Sequence, residues 1–157
     1  MRFLVQPGAG RARPPVRTFL AFAALALAGF AVQRIHNGGL SAAGVEAFYL
    51  GPGGAEPVSA AALWEEVHVG AFVYGFVVFM LGSLLAVSPV PDALRRRLLA
   101  AAVVCALADL FAPFAIVAVA RGGALRVVTF ALAQASVAAL LAAAWVGVGR
   151  SGRTARA

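Results

Sequence analysis

The sequence has 157 residues, of which 62% are hydrophobic and only 12% charged, and its mean hydropathy is +0.92. A soluble domain carries about a quarter charged residues, so this composition excludes an ordinary soluble globular protein and indicates a membrane protein. The formal net charge of +7 comes from arginine alone. These arginines border long apolar runs and form no basic face, so we expect the lipid bilayer as a partner and no nucleic acid.

Four apolar runs predict four transmembrane helices. The predicted spans are about 17–35, 62–87, 97–120 and 125–148, with tails at 1–16 and 149–157. At 1.5 Å rise per residue, the last three each cover roughly 30 Å or more, enough to cross the hydrocarbon core. The predicted fold is an all-α membrane protein, a single domain over residues 1–157. Its four antiparallel transmembrane helices form a bundle, with a short interfacial helix in the outer loop.

The first apolar run is the shortest, and it has a second interpretation. It extends from Thr18 to Val32 and contains Ala26-Leu27-Ala28 after an arginine-bearing N-terminus, which is also typical of a signal peptide. Cleavage there would leave three spans. The run continues apolar to Val32, which favours a retained helix, and N-terminal sequencing of the mature protein distinguishes the two.

The distribution of arginine predicts the orientation, because cytoplasmic flanks carry the excess of positive charge. One side of the membrane receives ten arginines and the other receives three. The ten are Arg2, Arg11, Arg13, Arg17, Arg95, Arg96, Arg97, Arg150, Arg153 and Arg156, and the three are Arg34, Arg121 and Arg126. We therefore expect a multi-pass protein of the bacterial inner membrane with both termini in the cytoplasm.

The outer loop, residues 34–66, contains two helix-capping signals. Ser41 is placed to cap a short helix over 42–50 that Gly51 would end, and Ser59 is placed to cap the helix of the second span. Three residues of the short helix share one face, so we expect it to lie in the membrane interface. They are Val45, Phe48 and Tyr49.

Two histidines are predicted to lie at the outer membrane face. His36 follows the first span and His68 opens the second, and imidazoles on facing helices are what a bis-histidine haem b site requires. Glu65 precedes His68 by one helical turn and is a candidate to orient it. Three arginines on the same side of the membrane are candidates to meet the haem propionates: Arg34, Arg121 and Arg126. The alternative is a pair of ordinary interfacial histidines, each with one wet ring edge.

A carboxylate is predicted at mid-membrane in the third span. Asp109 is expensive to bury there, so it should face the bundle interior and be paired or protonated. Pro113 lacks an N–H and therefore frees the carbonyl of Asp109. Counting residues from the inner ends places three polar side chains within about one turn of this depth: Tyr74, Gln134 and Ser136. The site is either hydrogen-bonded helix glue or a proton relay or quinone-type contact, and the first interpretation is favoured.

Small residues at helical spacing indicate where helices approach each other closely. Ala71 and Gly75 form one such pair in the second span. The fourth span contains a longer ladder, Ala131, Ala135, Ala138 and Ala142.

Several segments together resemble a family of small, uncharacterised four-helix bacterial inner-membrane proteins. They are Arg34-Ile35-His36-Asn37-Gly38-Gly39-Leu40, Gly44-Val45-Glu46-Ala47-Phe48-Tyr49-Leu50-Gly51, Glu65-Glu66-Val67-His68, Val87-Ser88-Pro89 and Ala108-Asp109-Leu110-Phe111-Ala112-Pro113. The resemblance implies a four-helix fold and respiratory or redox surroundings. Its members tend to carry a further histidine where this chain has Gly70.

The leading functional hypothesis is a small protein accessory to a respiratory or electron-transfer system, with haem b between His36 and His68. The first alternative is a non-catalytic structural or assembly subunit, and the second is an oligomeric transporter or channel. Other inner-membrane or respiratory proteins, or further copies of the chain, are the expected protein partners. No nucleophile motif or phosphate-binding loop is present, which argues against an enzyme.

Overall fold

The computed structural model describes residues 13–54 and 56–150. Its helices are α1 (Arg13–Gly38), α2 (Ala42–Leu50), α3 (Ala60–Ala86), α4 (Asp92–Val119) and α5 (Gly123–Arg150), with a 3₁₀ turn at Pro52–Gly54. The four long helices are each long and apolar enough to cross a membrane, and the described chain has no strand. This confirms the predicted all-α, four-span fold class. The outermost tail arginines, Arg2, Arg11, Arg153 and Arg156, lie outside the described residues.

Helix α5 lies at the centre of the bundle, because it packs against each of the other four helices. Its buried stripe consists of four residues that are 0% exposed: Ala133, Val137, Leu140 and Ala144. Their spacing of four, three and four residues is that of one helix face. The predicted ladder of Ala131, Ala135, Ala138 and Ala142 is exposed, so it is not the face of α5 that packs within this chain. Alanine occurs on every face of this helix and therefore does not identify the packed one.

Both predicted helix caps are confirmed. The Ser41 hydroxyl accepts a hydrogen bond from the Gly44 N–H at 3.0 Å, and the Ser59 hydroxyl accepts one from the Ala62 N–H at 3.3 Å. Each hydroxyl satisfies an N–H that the first turn of a helix leaves without a backbone partner. Gly51 follows α2 with a φ of 82°, a conformation that glycine adopts without steric cost.

Helix α2 folds onto one end of the bundle, called here the α2 end. Val45 and Tyr49 are buried in a cluster with Leu63 of α3 and Ile116 of α4. Phe48, on the same predicted face, remains partly exposed. The helix is thus more than an interfacial segment, because Val45 and Tyr49 complete the core of the α2 end.

A carboxylate of α2 caps the start of α5. Glu46 Oε1 accepts hydrogen bonds from the N–H groups of Gly122 at 2.8 Å and Gly123 at 2.9 Å. Gly122 has a φ of 116°, and a Cβ at Gly123 would collide with the backbone carbonyl of Ala42, so this junction requires glycine at both positions. The two N–H donors lower the pKa of Glu46 below its usual value, and the positive end of the α5 dipole favours the same charged form.

The Glu46 cap predicts a pH dependence of stability. Because its pKa is lowered in the folded state, the carboxylate stabilises the fold above its unfolded pKa of about 4.3. That contribution is lost as the pH falls through the lower folded value. We expect Glu46→Gln, which keeps the acceptor oxygen but not the charge, to lessen the decline in thermal midpoint between about pH 5 and pH 3. Circular dichroism in detergent measures this, with Glu56→Gln in the same loop as the matched control. Equal declines in the two variants would contradict it.

Candidate functional site

Asp109 lies at the centre of a buried ionic network. Its side chain is 0% exposed, and both carboxylate oxygens have partners. Arg126 of α5 forms an ion pair with Oδ1 through Nη1, and the Tyr74 hydroxyl of α3 donates to Oδ2 at 3.2 Å. Because an unpaired charge at this depth would cost several kcal/mol, these contacts are what allow a carboxylate to be buried in the bundle.

Pro113 adds a second acceptor to the same site. It lies inside α4, where its missing N–H leaves the carbonyl of Asp109 without the usual helical donor. Nη1 of Arg126 donates to this carbonyl as well as to the Asp109 carboxylate. A single guanidinium thus satisfies both the side chain and the freed backbone group of one residue.

Glu66 of α3 extends the network to the α2 end. Its carboxylate accepts hydrogen bonds from the Tyr49 hydroxyl at 2.8 and 3.0 Å, and Oε1 lies 3.1 Å from Nη2 of Arg126. The same oxygen forms an ion pair with Nη1 of Arg34 from α1. Two carboxylates and two guanidiniums therefore neutralise each other, and together with Tyr49 they join all five helices. This set, with Tyr74, is called the charge network below.

Arg34 is the least satisfied member of the charge network. Its side chain is only 9% exposed, yet Nε and Nη2 have no hydrogen-bond partner among the described residues. The guanidinium lies over the Phe30 ring, 4.8 Å from the ring centroid, which gives a cation–π contact but no acceptor in the plane of the fork. A Cβ at Gly70 would lie 3.4 Å from Nη2 and would meet the end of the Leu110 side chain, so a larger residue there would have to displace Leu110.

A groove opens beside Arg34 between α1 and α3. Its volume is about 250 Å³. The lining residues are Phe30, Gln33, Arg34 and Asn37 of α1, Phe48 and Val58 of the α2 loop, and Ala62, Glu65, Glu66 and Val69 of α3. Glu65, predicted to orient His68, has an exposed side chain in this groove. Helix α1 packs on α5 and α2 and much less closely on α3, which leaves the groove accessible from the side.

The two histidines lie at the same height on α1 and α3. Phe30 and Tyr74 are in edge-to-face contact at 5.2 Å between ring centroids, and His36 and His68 each lie six residues nearer the α2 end. Both imidazoles are exposed. Residues 13–54 and 56–150 contain no group of three or more His, Cys, Asp or Glu side chains that could hold a metal ion. A haem held by two histidines needs no such group, so haem binding stays a prediction.

The other two predicted polar residues differ in their placement. Gln134 is half-buried and donates through Nε2 to the Tyr74 hydroxyl at 3.4 Å, at the edge of hydrogen-bonding distance. The Ser136 hydroxyl donates instead to the Ala133 carbonyl of its own helix at 2.9 Å. Gln134 therefore adjoins the charge network, whereas the hydrogen bond of Ser136 stays within α5.

Sequence reasoning missed the charged partners of Asp109. The sequence pattern identifies Arg34 and Arg126 only as topology signals and propionate contacts, and it predicts no role for Glu66. A signal was present, because Arg34 and Arg126 lie inside the helices of the first and fourth spans and not in the loops between them. Charges within a transmembrane helix almost always pair with one another.

A family of transmembrane helical domains, Aq_1264_TM, matches residues 39–151. This chain belongs to that family. The matched region includes Glu66, Asp109 and Arg126, and only Arg34 of the four network charges precedes it. No curated protein and no solved structure matches the chain. The family assignment establishes a membrane-spanning helical protein. The charge network and the groove are features of this chain within that fold.

The neutral balance of the charge network predicts a compensating pair of substitutions. Asp109→Leu leaves one excess buried cation and Arg126→Met one excess buried anion, so each should lower the free energy of unfolding by about 3–5 kcal/mol. The double variant restores neutrality, because Glu66 still pairs with Arg34. We expect it to be more stable than either single variant in thermal or denaturant unfolding in detergent. A double variant whose loss equals the sum of the two single losses would contradict the charge argument.

Proposed function

We propose that this protein is a non-catalytic structural or assembly subunit that packs beside another transmembrane helix in a larger membrane complex. The observation that carries the proposal is a second groove, of about 320 Å³, on the outer surface between α3 and α4. Its lining residues are Ala71, Tyr74, Gly75, Val78 and Phe79 of α3 and Val103, Ala106, Leu107 and Leu110 of α4. None of the four charged residues of the charge network lines this groove.

The shape of the α3–α4 groove suits a helix. At Gly75 an added Cβ would meet no atom within 4 Å, and Ala71 lies one turn away on the same exposed face. Small residues one turn apart let the backbone of a second helix approach closely and gain van der Waals contact. Phe72 and Phe76 are exposed beside them, with ring centroids 6.4 Å apart and near-parallel rings, and form a ridge along one edge.

The charge network supports a non-catalytic role. A general acid or base must exchange its proton with a substrate, and a nucleophile must reach one. Asp109 is 0% exposed, and its two oxygens are occupied by Arg126 and Tyr74. A transport path would likewise need this carboxylate to face water. The arrangement is that of a polar contact that holds α3, α4 and α5 together.

Blocking the α3–α4 groove tests the proposal. Gly75→Leu fills it, and Gly29→Leu adds the same side chain to an equally open glycine on α1, where a Cβ also meets nothing within 4 Å. After extraction from native membranes in mild detergent, we expect the parent chain and Gly29→Leu to migrate in a complex. We expect Gly75→Leu to migrate as the free 16.0 kDa chain. A mass that is a multiple of the chain indicates a homo-oligomer, any other mass indicates a different partner, and a free parent chain would overturn the proposal.

A haem-binding subunit of a respiratory or electron-transfer system is the second candidate. The equal height and exposure of His36 and His68 favour it, since two accessible imidazoles are the minimum for a bis-histidine haem. With ample haem supply, the purified protein should then show a Soret band and a sharpened α-band on dithionite reduction. His36→Ala and His68→Ala should each abolish both. A spectrum without haem bands would exclude this candidate and leave the structural one untouched.

A further inference from the structure

We propose that the α1–α3 groove binds the head group of a neutral, carbonyl-bearing ring amphiphile, the chemical class of the membrane quinones. This site is separate from the α3–α4 groove and does not depend on the subunit role. One of its lining residues is Arg34, a side chain that is nine-tenths buried and has two N–H donors without a partner among the described residues. Buried donors are nearly always satisfied, so two unused ones on a side chain that lines a groove point to an acceptor supplied from outside the protein.

The charge of the groove selects a neutral acceptor. Among the described residues that line the groove, Arg34 is the only cation. Its charge is already matched by the ion pair with Glu66, and Glu65 adds a further carboxylate to the groove. A phosphate or a fatty-acid carboxylate would meet like charge, which costs binding energy at close range. A carbonyl oxygen accepts from Nε and Nη2 without bringing a charge.

The walls of the groove select a planar ring. Phe30 and Phe48 contribute two aromatic side chains, and aromatic surfaces favour stacked or edge-to-face contact with another ring. The volume of about 250 Å³ exceeds the roughly 150 Å³ of an engineered cavity that binds benzene, so a substituted six-membered ring fits.

The mouth of the groove provides donors for a second carbonyl. Gln33 and Asn37 lie one helical turn apart on α1, both with exposed side chains, and both line the groove. A ring with two opposed carbonyls would direct one to Arg34 and the other to these amides. The apolar tail would leave sideways between α1 and α3, where the helices are least closely packed.

Two neighbouring substitutions on α3 provide the test. Ala62 lines the groove, whereas Ala61 is the adjacent exposed residue, turned by about 100° around the helix. The full chain in lipid nanodiscs is titrated with decylubiquinone by calorimetry, and an azido-substituted analogue maps the contact by photolabelling. We expect binding by the parent chain, an affinity at least about tenfold weaker in Ala62→Phe (about 1.4 kcal/mol), and no change in Ala61→Phe. Labelling should fall within residues 30–37 and 62–69.

Arg34→Lys separates the unused donors from the ion pair. Lysine keeps a cation for Glu66 but lacks the planar fork that provides Nε and Nη2. We expect weaker decylubiquinone binding, also by about tenfold, with the thermal midpoint reporting independently on the fold. No binding by the parent chain, or equal affinities in Ala62→Phe and Ala61→Phe, would overturn the proposal. Equal competition by dioleoylglycerol, whose ester carbonyls are also neutral acceptors, would overturn the ring specificity and assign the groove to ordinary lipid.

Discussion

The ion pair between Arg126 and Asp109 is the constraint on which the packing at the α2 end of this bundle depends. Asp109 lies ten residues, or about 15 Å, from the last residue of α4, which is well inside the membrane. An arginine near a helix end normally extends toward water. Here the Arg126 guanidinium turns inward, because Asp109 offers it a carboxylate and a freed carbonyl at once. The relative positions of α4 and α5 follow from that pairing.

The remaining polar contacts of the α2 end follow from the donors of Arg126 that this ion pair does not use. Nη2 of Arg126 forms an ion pair with Glu66, and the Glu66 carboxylate also pairs with Arg34 and accepts a hydrogen bond from Tyr49. Tyr49 belongs to a nine-residue helix that would be marginal alone. Its stability therefore comes from tertiary contacts: the Tyr49 hydroxyl on α3, the Glu46 cap on α5, and two apolar side chains in the core. This short loop helix is part of the fold because Tyr49 and Glu46 bind polar groups of α3 and α5.

Local sequence predicts the helices and their caps, whereas the contacts between distant helices depend on long-range geometry. The four spans, the caps at Ser41 and Ser59 and the glycine end of α2 each depend on a few adjacent residues, and sequence reasoning found them. The importance of Asp109 was also visible, because a carboxylate in an apolar run is costly wherever it points. Depth counting also found Tyr74, whose hydroxyl donates to Asp109. It did not find Arg126, because the count ignores the length of an arginine side chain. Arg126 begins near the α2 end and still reaches the level of Asp109.

The same limit explains why the sequence does not identify the packed face of α5. In an alanine-rich helix, small residues recur at helical spacing on several faces, so Ala131 and its repeats look as suitable as Ala133 and Ala144. The buried stripe differs in containing Arg126, Val137 and Leu140 as well as alanines. Residues three, four and seven positions from Arg126 share its side of the helix. Ala133 is seven positions from Arg126, and it is buried.

The charge network also explains why the bundle is closed on one side and open on another. Arg126 draws α3, α4 and α5 together around Asp109 and Glu66, whereas α1 meets α3 at this level through two long side chains, Arg34 and Phe30. Long side chains span a wider gap than closely packed small apolar residues do, so α1 lies further from α3 and a groove remains between them. Arg34 must approach Glu66 edge-on across that gap, and the approach engages Nη1 while leaving Nε and Nη2 free. The two buried donors without partners and the groove that Arg34 lines thus have one physical origin.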